Sequence, residues 1–417
     1  MAGLYLHIPF CEHKCIYCDF YSVENLRKVD AFLIALDREI SMYSEYAVTE
    51  HFETIFFGGG TPSLLSPRQM EKILNRLHSK FAIDSDVEIT AEANPGTVDA
   101  QKLKDYRALG INRLSIGIQS FDEDDLLFLT RIHSSQQAKE CVRTAHRVGF
   151  ENVNLDLIFA LPNQSIEKWQ SNLRQAVDLE PQHISAYSLI VERGTPLARM
   201  VAAKQISPVP VEQDALMYEW TMEFLAAAGY EHYEVSNFAR PGYRSRHNSN
   251  YWNHTNYLGF GPSAHSFWAS LNTGTTRRWW NIANLSTYVE RISHGIKPVA
   301  GEEMLNDDQL LEEAVMLGLR SSGIDCQHLQ DRFNAEILRD AHVVIRELFN
   351  GELAVVNGVT LRLTDRGYLF CDEICERILA DLGRKPKEMV SSLHVQSGSG
   401  SGVALVERIV HHGGLEK

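Results

Sequence analysis

From residue 4 to about residue 192, short apolar runs alternate with amphipathic stretches of helical period, and this alternation restricts the available folds more than any other feature of the chain. The candidate strands are residues 4–8, 54–57, 87–91, 113–118, 152–159 and 183–189, and the helical pattern between them occupies 29–44, 67–79, 100–109, 136–148 and 166–179. Repetition of strand then helix predicts parallel strands joined by crossover helices. Six such units predict an α/β domain built as a partial (β/α)6 barrel of the TIM type, open rather than closed into the eight-fold form. Ser66-Pro67-Arg68-Gln69 joins an N-cap serine, a proline at the first helical position and a glutamine three residues after the cap, so a helix should start there. Gly110 and Gly149 fall where helices must end, and glycine takes the left-handed conformation that a C-cap uses.

In such barrels the loops that follow the strands form the ligand site. Cys11, Cys15 and Cys18 follow the first strand at C-x3-C-x2-C spacing, which lets three thiols turn inward on one loop and hold one soft metal centre. A closed structural site takes four protein ligands, whereas an iron–sulfur cluster on three cysteines keeps one iron open. Zinc on the three thiolates, with His7 or His13 as fourth ligand, is the competing reading. A disulfide framework is disfavoured, because seven cysteines in 417 residues are neither dense nor even in number. Gly58-Gly59-Gly60 follows the second strand, where it makes a tight turn or lets the backbone approach a ligand. Glu92 follows the third strand and Gln119 the fourth.

The stretch from Tyr5 to Phe20, Gly58-Gly59-Gly60-Thr61-Pro62, Glu92-Ala93-Asn94-Pro95 and Ser115-Ile116-Gly117-Ile118-Gln119-Ser120-Phe121 resemble, in order, the motifs of the radical S-adenosylmethionine (SAM) superfamily. More narrowly they are similar to the branch that holds oxygen-independent coproporphyrinogen III oxidase and the HemW haem chaperones. The resemblance spans about residues 3–370. It implies a 4Fe–4S cluster on Cys11, Cys15 and Cys18, SAM chelating the open iron, and an electron donor for the cluster. Gly59, Gly60 and Thr61 would hold the methionine end of SAM, and Tyr5, Tyr17, Glu92, Gln119, Arg131 and Asp156 match SAM-contacting positions. A zwitterionic sulfonium ligand needs carboxylate acceptors for its ammonium and hydroxyls, and an arginine for its carboxylate. Reductive cleavage of SAM to a 5′-deoxyadenosyl radical is the chemistry such a pair supplies; binding does not by itself establish turnover.

Beyond residue 196 the alternation ends, and residues 197–300 read as a helical and loop-rich extension to a barrel core at 1–196. His247-Asn248-Ser249-Asn250-Tyr251-Trp252 matches the His-Asn-x-x-Tyr-Trp signature of the HemW family and implies haem contact through His247; His254 and His265 keep the choice of ligand open. Haem and haem-accepting proteins are the partners that follow. Two departures separate the chain from the oxidase: Phe20 replaces a further cysteine, and only four residues precede Tyr5. Residues 301–383 read as a smaller α+β, winged-helix-like domain, with helices at 307–319, 326–333 and 335–349 and a hairpin turning at Asn357-Gly358. Cys371 and Cys375, four apart, read as core. Residues 384–417 read as a flexible tail with a Ser-Gly alternation at 397–402.

A formal charge of −14 argues against general nucleic-acid binding, which needs clustered Lys and Arg. No secretory signal pattern and no transmembrane-length apolar run is present, so the expectation is a cytoplasmic protein that meets membrane proteins only transiently.

Overall fold

The computed structural model describes residues 2–48, 50–270 and 273–383. The flexible tail expected at 384–417 lies outside the described residues. Six parallel strands form its centre in chain order: β1 (Ala2–Ile8), β2 (His51–Gly59), β3 (Ala82–Ala93), β4 (Arg113–Gln119), β5 (Val153–Phe159) and β6 (His183–Ser188). Helices α1 (Val29–Met42), α2 (Pro67–Lys80), α3 (Ala100–Ala108), α4 (Glu123–Phe128), α5 (Ser135–Arg147) and α6 (Ile166–Val177) lie in the connections. The predicted caps form: Ser66 and Gln69 make a reciprocal capping box, and Gly110 and Gly149 both sit at φ +95°.

Each central strand splits its residues between two faces, as the two-residue period requires. Leu4, Leu6 and Ile8, Ile55 and Phe57, Ile89 and Ala91, Leu114 and Ile116, Leu155 and Leu157, Ile184 and Ala186 join the large apolar core under the helices. Their neighbours carry polar chemistry into the barrel: Thr54, Glu88, Arg113, Ser115, Asn154, Asp156, His183 and Ser185 are all buried. Register aligns them, with Thr54 beside Glu88, Ser115 beside Asn154, and Asp156 beside Ser185. The barrel thus has a polar lumen inside an apolar wall.

The extension departs from its expected loop-rich character. After α7 (Pro196–Ala202) and α8 (Val211–Ala227) come β7 (Glu231–Glu234), β8 (Asn237–Ala239), α9 (Arg246–Trp252), β9 (Asn256–Phe260), β10 (His265–Ala269), β11 (Thr276–Asn281), α10 (Leu285–Ser293) and β12 (Val299–Leu305). These strands continue the central sheet at both edges, giving twelve strands in the order β12-β11-β10-β9-β1-β2-β3-β4-β5-β6-β8-β7. β9 pairs parallel to β1, while β8 pairs antiparallel to β6. Short strands rich in Trp, Tyr and Arg lack a clean alternation, which is why their pattern reads as loop. No pairing joins β7 to β12 among the described residues, so the sheet stays open.

A buried carboxylate pins this extension to the barrel. Glu39 of α1 accepts hydrogen bonds from Gly261 N–H (2.8 Å), Asn281 Nδ2 (2.6 Å) and the Tyr288 hydroxyl (2.6 Å), and burial pushes its pKa up to about 7.

The C-terminal part follows the order helix, strand, helices, hairpin: α11 (Asp307–Leu319), β13 (Ile324–Asp325), α12 (Cys326–Phe333), α13 (Ile337–Asp340), α14 (His342–Asn350), β14 (Ala354–Asn357) and β15 (Thr360–Leu363), then α15 (Asp365–Tyr368) and α16 (Cys371–Asp381). The hairpin turns at Gly358-Val359, one residue beyond the expected Asn357-Gly358, because Asn357 still pairs with Thr360, and the small sheet β13-β15-β14 gives the winged-helix-like arrangement. Cys371 and Cys375 are buried in its core. Among the described residues no helix is long and apolar enough to cross a membrane.

Candidate metal and cofactor site

The loop after β1 is stapled to the turn after β2. Gly60 N–H donates to the Ile8 carbonyl (2.9 Å) and Thr61 N–H to that of Phe10 (2.7 Å), while Cys11 N–H donates to Val23 (3.1 Å). The glycines permit this approach. A Cβ on Gly60 would lie 2.6 Å from the Phe10 carbonyl oxygen, and Gly59, at φ +106°, would drive one to 2.7 Å from the His7 ring. The triple glycine therefore earns its place by letting two backbones touch, and the Gly60 and Thr61 N–H groups are spent on that contact rather than left for a ligand.

Cys11, Cys15 and Cys18 line a cavity of about 980 Å³, mouth included, whose wall also holds Tyr17, Gly59, Gly60, Thr61, Glu92, Gln119, Arg131 and Asp156. All three cysteines and eight of the ten expected cofactor contacts are thus gathered at one mouth by the ends of β1–β5. In the rotamers present Cys11 Sγ accepts from Thr61 Oγ1 and Cys15 Sγ from Arg131 Nη1, each at 3.6 Å. No group of three metal-ligating side chains is drawn together among the described residues, so shared ligation asks for side-chain rotation.

The electrostatics suit a cationic guest. Burial pushes the Cys18 thiol up to about 12 and raises Cys11 as well, so these sulfurs keep their protons unless a cation draws them off. Burial also lifts Glu92 well above the ordinary carboxylate range, with neighbouring Asp156 adding to it, and raises Asp156 itself. Asp156 accepts from Ser115 Oγ (2.9 Å) and Asn154 Nδ2 (2.8 Å). Glu92 Oε1, Gln119 Oε1 and Arg131 Nε are buried without a hydrogen-bond partner. Such orphans are costly in a finished core and point to a ligand that completes them. Gln119 holds φ +67° at a break in the β4–β5 register, a strained conformation of the kind that gathers at functional sites. Zinc with His7 is disfavoured: the His7 Nε2–H donates to the Tyr21 carbonyl (2.7 Å), and its Nδ1 pairs with the Tyr5 hydroxyl (3.2 Å).

Two expected contacts stand elsewhere. Tyr5, 2 % exposed, lies below the cavity against Phe56 and His247 instead of lining it. His247 is farther down, at the opposite mouth of the barrel. It is 1 % exposed, stacks on Phe56 at 5.0 Å, and pairs through Nδ1 with Thr54 Oγ1 (2.8 Å) and through Nε2 with the Tyr251 hydroxyl (2.9 Å). Glu88 receives the N–H groups of Arg246 (3.1 Å) and His247 (3.0 Å), fixing the start of α9 under the lumen. The rings of Tyr5 and Phe56 lie between His247 and the glycine turn. In this arrangement both ring nitrogens are occupied, and His247 is a plug rather than an open axial ligand. His254 pairs with Glu313 (3.1 Å), and His265 stacks on Trp280 (6.0 Å).

Sequence reasoning missed the function of Asn94, which bridges Thr61 and Arg131, and of the lumen residues Asn154 and His183 beneath Asp156. Asn94 belongs to a quoted motif, and the lumen set is legible as polar residues alternating with apolar ones on β4–β6.

The radical SAM superfamily model matches residues 5–176, and the HemN C-terminal domain model matches residues 305–370. The heme chaperone HemW of Bacillus subtilis (strain 168) is 34 % identical over 386 residues, covering 92 % of this chain and 100 % of that protein. The heme chaperone HemW of Escherichia coli (strain K12) is 43 % identical over 271 residues, 63 % of this chain and 69 % of that protein. Among solved structures, the coproporphyrinogen III oxidase HemN of Escherichia coli superposes with a TM-score of 0.77 at 23 % identity, covering 90 % of this chain and 89 % of that one, a likeness of fold. With a relative matched along its whole length, the chain belongs to the HemW family of the radical SAM superfamily.

Proposed function

We propose that this protein is a haem chaperone: it holds a 4Fe–4S cluster on Cys11, Cys15 and Cys18, binds SAM beside it, and passes haem to acceptor proteins. The observation that carries the reading is the single cavity in which the three thiols meet two buried carboxyls and three orphaned polar atoms. Bound there, the cluster supplies an open iron and one electron at low potential. Arg131 would face the carboxylate of SAM, and Glu92 and Asp156 its ammonium and hydroxyls, each acid losing its raised proton affinity as the cation arrives. Gln119 would complete its bonds to the same ligand.

His247 enters haem binding in this reading only when α9 leaves the lower mouth, because in the closed arrangement no iron reaches either ring nitrogen. The relatives named heme chaperone support haem as the cargo. Haemin titration of anaerobically reconstituted protein, followed by mixing with an apo haem protein, tests it. A saturable Soret band that moves to the acceptor is expected. Failure to bind haemin would overturn the chaperone reading, and SAM-dependent release of carbon dioxide from coproporphyrinogen would replace it with an enzyme of the oxidase type.

A further inference from the structure

A one-way chain of hydrogen bonds joins two of the cysteine sulfurs through Asn94. Arg131 Nη2 donates to Asn94 Oδ1 (2.7 Å) and to the Gly117 carbonyl (2.6 Å), while its Nη1 points at Cys15 Sγ. A guanidinium only donates, so the Asn94 amide oxygen must face it and the Asn94 Nδ2 must face Thr61 (3.1 Å). Thr61 Oγ1 then accepts from Asn94, and its own hydrogen is left for Cys11 Sγ at 3.6 Å. The Asn94 backbone is fixed at both ends, its N–H donating to Ser63 Oγ (3.2 Å) and its carbonyl accepting from Thr97 Oγ1 (2.8 Å). Gly117 leaves the space: a Cβ there would lie 3.3 Å from Asn94 Oδ1 and 3.5 Å from Arg131 Nη2.

We propose that Asn94 is a positioning residue that aims one donor at the sulfur of Cys11 and another at that of Cys15, and thereby sets the reduction potential of the cluster. The proposal rests on the cluster reading above, with the Thr61 and Arg131 donors following the sulfurs as the three cysteines rotate to share the cluster. Reduction adds negative charge to the cluster and its sulfurs, and a donor hydrogen bond stabilises the reduced form more than the oxidised one. Two donors aligned through one amide raise the potential together, and both are loosened when it is lost.

Asn94→Ala removes the donor to Thr61 and one of the two acceptors of Arg131, leaving Arg131 the Gly117 carbonyl alone and both donors less firmly aimed. Asn94→Asp, of the same size, keeps the acceptor for Arg131 but offers Thr61 a second acceptor, which turns the hydroxyl away from Cys11 and adds negative charge. The test is a potentiometric titration of reconstituted wild type, Asn94→Ala, Asn94→Asp and Thr61→Val without SAM, followed by electron paramagnetic resonance, with iron and sulfide assayed in each. Both Asn94 variants should carry a full cluster at a more negative potential, with Thr61→Val shifted less than Asn94→Ala because it spares the Cys15 donor. Fully loaded variants that titrate with wild type would overturn the role of Asn94 and leave the cluster reading standing. A wild type that takes up no iron and sulfide would overturn both.

Discussion

Replacement of His247 by alanine separates a structural histidine from an exposed one. The ring is 1 % exposed and stacked on Phe56 and Tyr5, so its removal leaves a cavity worth about 3 kcal/mol by analogy with other large buried side chains. Thr54 keeps a donor in Asn250 Nδ2 (3.3 Å), but the Tyr251 hydroxyl loses its His247 partner, adding about 1–3 kcal/mol. The total is about 4–6 kcal/mol, against about 0.5 kcal/mol for an exposed loop residue. With an unfolding entropy near 2.1 cal/mol/K per residue, that becomes a fall of roughly 5–8 °C in the melting midpoint. Calorimetry of the cofactor-free protein reads it directly, and a midpoint within about 1 °C of wild type would refute the buried plug.

The same site has a pH signature. Burial first, and Arg113 second, lower the His247 pKa to about 3, so the folded ring stays neutral while the unfolded ring titrates near 6.5. Between these values the unfolded state binds the extra proton, and the stability tied to the neutral ring is lost as pH falls. Relative to His247→Phe, wild type should lose up to about 1.4 kcal/mol per pH unit below about 6. Equal pH slopes for the two proteins would show that the ring is already accessible to protons.

Two further outcomes follow from the upper mouth. Gly60→Ala forces a Cβ against the Phe10 and Ile8 carbonyls, so it should cost about 1–3 kcal/mol and lower iron loading, read by melting and by iron content. Glu92 and Asp156 carry raised pKa values that a cation would lower, so SAM affinity should rise with pH and the dependence should weaken in Asp156→Asn, with a roughly ten-fold or greater loss of affinity at neutral pH by isothermal titration.

The central strands, their order and the cysteine loop were legible because period, caps and motif all act locally. Ser66 with Gln69, and Gly110 and Gly149, behave as their local chemistry dictates. The edges were not. β9 is placed by pairing with β1, two hundred and more residues earlier, and nothing within Asn256–Phe260 names that partner. His247 belongs to a recognisable signature, yet its burial depends on Thr54 and Glu88 from two distant strands. Gly60 has a second reason that no local pattern states, since the backbone contact at Phe10 also requires a glycine there. Asn94 shows a further limit: its amide is informative only once Thr61 and Arg131 flank it.

The most direct test of the account is the electron paramagnetic resonance spectrum of dithionite-reduced, anaerobically reconstituted protein, recorded with and without SAM. A cubane cluster signal that is absent when Cys11, Cys15 and Cys18 are replaced by alanine, and whose shape changes when SAM is added, is the result predicted. Zinc in place of iron, or a fully loaded cluster whose spectrum ignores SAM, would contradict it.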